Sequence, residues 1–219
     1  QRVLLPDLLL GFAQGISGGL FLFYFQFVLG FTHASQTLLA IYFLSGLAGV
    51  PLWWFIARKL GKHRTLQLAL VYAVVSTALL PLLPPRAFAI VAPFMFLAGL
   101  AQGGGTLLTR ALMADVVDED EVRTGARRSG IYFGILLTTS KVGVALGPLT
   151  YVALDLAGFR PAEGAQNTTP ALGVLTALFV GGPMLLYLLA AISLRKYPLD
   201  EKRHAELAAV IAARHAGEA

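Results

Sequence analysis

A single lysine, Lys141, stands about eleven residues into an apolar stretch that runs from about Gly130 to Ala157. At a rise of 1.5 Å per residue this puts its ammonium about 16 Å from one end of the segment, near the middle of a bilayer. Even the mildest insertion scale charges roughly +2.5 to +3.5 kcal/mol for a cation at that depth. A lysine kept there points to an ion or solute pathway, or at least to a wet crevice. It needs an opposite charge, water or carbonyls around it. Asp7 and Asp115 fall near one end of their segments and Asp155 near the other, so no carboxylate in the sequence is level with Lys141. Three readings stay open: the partner lies outside this chain, the lysine is neutral, or it faces a hydrated cavity. Just upstream, Asp115, Asp118, Glu119, Asp120 and Glu121 are set against Arg123, Arg127 and Arg128, with Gly125 and Gly130 allowing tight chain geometry. The two signs are separated rather than mixed. Such a run is either a solvated charged turn or a gate whose ion pairs break and re-form. Arg110, one turn inside the preceding apolar segment, is either a snorkelling anchor or part of that gate. Gln14, Gln102 and Thr106 are pocket candidates, since an amide inside a span wants a partner or a wet cavity, although helix-to-helix hydrogen bonds explain them equally well.

The elements that must position these groups are membrane helices. Hydrophobic residues make up 57% of the 219 and charged ones 13%, too little polar surface to wrap a water-soluble core. Windows of about 20 apolar residues predict six spans, at about 6–31, 37–57, 65–83, 88–117, 130–157 and 171–194, which suggests two structural triplets although no sequence repeat is evident. Glycines 11, 15, 18 and 19 give the first span a small-residue face suited to close helix packing, ahead of a break where the helix lines a cavity. Pro51 predicts a kink in the second. The stretch 196–219 is expected to be a soluble tail with a short amphipathic helix carrying Leu207, Val210 and Ile211 on one face. With both termini on one side, 13 lysines and arginines fall in the loops on that side and 2 on the other, which predicts cytoplasmic ends. That distribution also accounts for the net charge of +5 without nucleic acid, because the basic residues lie along anionic lipid. Absence of cysteine removes disulfide and thiolate-metal chemistry. Gln1 in place of an initiator methionine, six spans and an unpaired lysine together lead us to expect a piece of something longer.

Two other classes of function are compatible with a membrane protein of this composition. Paired aspartates at a membrane surface can hold a divalent metal for phosphoryl transfer to lipid alcohols. The pair Asp115 and Asp118 lacks the glycine directly after its second member and the further aspartate pair that the CDP-alcohol phosphotransferases require, so an enzyme is not expected. A membrane assembly protein without transport would tolerate Lys141→Ala, and a carrier would not.

The residues Ala114-Asp115, Asp118, Glu121, Thr124-Gly125, Arg127-Arg128 and Gly130, then Lys141, Gly143, Ala145 and Gly147, and Ala157-Gly158-Phe159, resemble the C-terminal half of the glycoside-pentoside-hexuronide:cation symporters, the melibiose-carrier-like branch of the major facilitator superfamily. The tail YPLDEKRHAE is similar to that family's tail as well. The resemblance implies an all-α membrane protein whose six helices are the second half of a twelve-helix bundle. It implies a secondary active transporter, located in the cell (inner) membrane, that carries a sugar or related small solute with Na+ or H+ by alternating access. It further implies no cofactor, a separate N-terminal six-helix half as partner, a role for Lys141 beside the solute and cation sites, and a gating loop containing Asp115, Asp118, Thr124 and Arg127. This sequence has Leu136 and Leu137 where sugar-carrying members often have polar residues, so a lysolipid or drug is the alternative cargo.

Overall fold

The computed structural model describes residues 3–126, 128–162 and 164–194. Six helical spans are long and apolar enough to cross a membrane: Leu4–Val28, Ala34–Leu60, Lys62–Leu82, Phe88–Thr124, Ser129–Leu156 and Thr169–Ser193. They are built from α1 (Leu4–Phe23), α2 (Ala34–Leu60), α3 (Lys62–Leu79), α4 (Phe88–Thr124), α5 (Ser129–Leu146), α6 (Leu149–Leu156), α7 (Thr169–Thr176) and α8 (Gly182–Ser193). The first and last spans each contain a π-helical turn, Tyr24–Val28 and Ala177–Gly181. The fifth is interrupted between α5 and α6 at Gly147 and Pro148, where the proline has no N–H to continue the ladder. Pro51 sits within α2, which stays helical from end to end.

Two turns at the end that carries the basic loops depend on glycine. Gly61, with φ +79°, joins α2 to α3 as a single residue, a conformation that a Cβ disfavours. Gly125, with φ +71°, is the left-handed cap that ends α4. The acidic run expected to be a loop is therefore corrected: Asp115 to Thr124 continue α4, and the turn before α5 is only four residues long. No glycine or proline interrupts positions 106 to 124, so nothing stops the helix earlier. At 37 residues α4 is about 55 Å long, well beyond the roughly 30 Å of a hydrocarbon core.

Packing follows small residues. α1 lies along α5, where a Cβ on Gly11 would stand 2.5 Å from the backbone oxygen of Ser140, with Gly143 and Gly147 on the facing helix. α2 lies along α4 in the same manner, Gly103 meeting the backbone of Gly46, and Trp53 Nε1 donates to the Leu100 carbonyl at 2.7 Å. α8 packs on α1 and α3, and α3 packs on α4 as well. This set of pairs is unchanged when spans one, two and three are exchanged with four, five and six. The two expected triplets thus show as a two-fold pattern of packing that the sequence does not repeat. An aromatic cluster closes the end opposite the basic loops, with Phe21 stacked on Phe25 at 4.3 Å and Tyr24 on Phe179 at 4.6 Å.

Candidate functional site

A central cavity of about 160 Å³ opens between the spans. α1 contributes Asp7, Gln14, Ser17 and Phe21, spaced at three, four and seven so that they share one face. α4 contributes Gln102, Thr106, Thr109 and Arg110 by the same periodicity, and α5 brings Ser140. The three pocket candidates of the sequence, Gln14, Gln102 and Thr106, all line it, as does Arg110. Its wall is graded. Asp7, Arg110, Thr109 and Thr106 gather toward the basic end, whereas Phe21, Leu39, Leu80, Met95 and Phe179 line the other. Gln14, Thr106 and Arg110 are exposed, so the cavity is open on the side of the first and fourth spans. The spans least covered by the rest of the chain are the second and the fifth, at 22% and 17% buried.

In the sequence Asp7 falls near one end of its span, as a residue of the first helical turn would. It does occupy the first turn of α1, but it is also a buried member of the cavity wall. Its signal was the seven-residue spacing to Gln14, two helical turns that place both on one stripe. The Gln102 side-chain oxygen is buried with no hydrogen-bond partner among the described residues, and so is one oxygen of Asp7.

Lys141 is not on the cavity wall. It follows Ser140 by one residue, about 100° around α5, and is exposed. Among the described residues no carboxylate lies within ion-pair distance of it. Its stripe also carries Leu137, which does line the cavity, and Ala145, both exposed, on the span that the chain covers least.

The expected gate residues separate into two groups. Asp115 is buried and forms a short ion pair with Lys62 at the start of α3, tying that helix to α4. The sequence carries no signal that singles out Lys62, one of four basic residues between Arg58 and Arg64 and 53 positions from its partner. Next to it, His63 Nε2 lies 2.5 Å from the Leu194 carbonyl, joining α3 to the end of α8. Farther along, Thr124 Oγ1 donates to the Asp120 carbonyl at 2.8 Å and accepts from the Ala126 N–H at 3.3 Å, fastening the end of α4. Arg123 pairs with Asp120 at 3.7 Å, Asp118 is half-buried, and Arg128 is exposed just before α5. Arg127 and the tail helix lie outside the described residues.

An MFS/sugar transport protein family model matches residues 1–201. The chain belongs to that family. Within it, the chain is 27% identical over 190 residues to the human sodium-dependent lysophosphatidylcholine symporter 1, covering 84% of this chain and 34% of the relative. It is 28% identical over 197 residues to the inner membrane symporter YicJ of Escherichia coli strain K12, covering 83% and 40%. An uncharacterized 29.9 kDa protein of Pseudescherichia vulneris is 30% identical over 190 residues, covering 86% and 69%. This chain of the MFS/sugar transport family therefore spans little more than a third of the length of the two named symporters. It is an all-α membrane protein of a transporter family rather than an enzyme, and the phosphotransferase reading falls.

Proposed function

We propose that this chain is the C-terminal six-helix half of a cation-coupled secondary transporter that moves a sugar or related small solute by alternating access. The observation that carries the reading is the central cavity, whose polar groups converge from α1, α4 and α5, with others from α2, α3 and α8, and which opens to one side of the bundle. A half-site of this shape is completed by a second bundle rocking against it. That second bundle is the N-terminal half, packed on the thinly covered second and fifth spans, where the exposed Lys141 finds its counter-charge. Both ends of the chain are cytoplasmic in an inner membrane, in keeping with the 13 to 2 bias of basic residues. The coupling ion is Na+ or H+. Among the gate residues, the Lys62–Asp115 pair holds the cytoplasmic side closed, and Arg110, Asp118, Thr124, Arg127 and Arg128 belong to the same gate.

The graded wall supports a second cargo. An amphiphile such as a lysolipid would lay its chain along Phe21, Leu80, Met95 and Phe179 and its head among the polar groups, and one relative is named for a lysolipid. Uptake into proteoliposomes of the full open reading frame that contains this chain, with labelled sugars and lysolipids under Na+ or H+ gradients, tests both. Gradient-driven uptake that falls at least tenfold in Lys141→Ala supports the symporter. Folded protein that moves neither class under any gradient overturns both cargoes.

A further inference from the structure

Asp7 has no role above, and Arg110 has one only as a member of the gate. Asp7 is 8% exposed, and its Oδ2 has no hydrogen-bond partner among the described residues. Arg110 reaches the same cavity from α4, close enough for the two charges to act on each other. They nevertheless do not meet: the ion pairs formed among the described residues are Lys62–Asp115 and Asp120–Arg123. A carboxylate only accepts hydrogen bonds and a guanidinium only donates them and keeps its charge. Leaving a carboxylate as buried as that of Asp7 without a partner is costly.

Each simple class of solute compensates this couple incompletely. A neutral polyol satisfies Gln14, Gln102 and Thr106 but cancels neither charge. An anion pairs with Arg110 and is repelled by Asp7, and a cation does the reverse. Two opposite charges that face one space without touching are complementary to a solute that carries both signs.

We propose that Asp7 and Arg110 form a subsite for a zwitterionic group, with its ammonium on Asp7 and its carboxylate or phosphate on Arg110. The proposal rests on the reading of the cavity as the solute pathway. The assignment makes charge, rather than ring hydroxyls, the main determinant of which solute this cavity selects.

The test measures equilibrium binding and uptake by the full open reading frame in proteoliposomes. The probes are glycine betaine, glycerophosphocholine, choline, isovalerate and melibiose. The first two differ in their anion, so they separate carboxylate from phosphate. Binding of at least one of these two in preference to choline, isovalerate and melibiose is expected. Asp7→Asn and Arg110→Gln should each weaken it about tenfold or more, the scale of a charge-assisted contact, while Asp7→Glu should keep the order of preference. Melibiose bound and taken up equally by wild type, Asp7→Asn and Arg110→Gln would overturn the zwitterion subsite and leave the transporter intact. Preference for choline or isovalerate alone would also overturn it. No binding or uptake of any probe by folded protein overturns both readings.

Discussion

Asp115 shows how a single side chain in this protein ties the helices together. Its carboxylate is 7% exposed and its lysine partner 33%, so the pair is desolvated mainly on the acid side. Removing one member of such a pair strands the other, which is where the energetic cost lies. Asp115→Ala should lower stability by about 2 kcal/mol, read as a drop in thermal midpoint in detergent. Exchanging the charges, Lys62→Asp with Asp115→Lys, should recover part of it; if the double variant is no better than the single one, the pair is not what holds α3 to α4. Sequence alone showed Asp115 as one acid among five. Nothing in the spacing of Lys62 and Asp115 says that the one-residue turn at Gly61 brings them together, because that is a property of how three helices stack. Gln14, Gln102 and Thr106 were legible for the opposite reason. Each is a polar residue in an apolar span, and the cost of leaving it without partners makes its role visible before any fold is known.

At the scale of helices, the determinants of packing are the glycines. Gly11 and Gly18 lie two turns apart on α1, but a Cβ on the first would strike the Ser140 carbonyl whereas nothing lies within 4 Å of one on the second. Gly11→Val should therefore part α1 from α5 and cost about 1–3 kcal/mol or prevent assembly, while Gly18→Ala should leave the melting temperature within a degree or two. Equal effects from the two substitutions would show that the contact is not set by backbone approach. The small-residue face of the first span was readable in the sequence, and the structure gives Gly11 and Gly15 the close-packing role expected while Gly18 lines the cavity instead. The end of the fourth span was not. Its charged residues resemble a loop in composition, yet they carry no breaker before Gly125, and the helix persists into the region outside the hydrocarbon where charge costs nothing to solvate.

For the molecule as a whole, the absence of native cysteine makes topology directly testable. Lys59→Cys, beside the turn at Gly61, should react with an impermeant maleimide only from the cytoplasm, and Arg160→Cys, beyond α6, only from outside. The reverse pattern would invert the orientation that the basic residues predict. The two-fold pairing of spans was hidden from the sequence because it is carried by backbone proximity: α1 with α5 and α2 with α4 use glycines at similar spacings but with different neighbours. One further property follows from α4. It is a single rod of about 55 Å, and its midpoint falls at Thr106, on the cavity wall. Tilted by about ten degrees around that point, such a lever carries its tips sideways by about 5 Å and Asp115, nine residues from the pivot, by about 2.3 Å. Added to the length of the ion pair, a shift of that size away from α3 parts Lys62 from Asp115, so a solute that nudges the middle of the rod unlatches the pair without touching either.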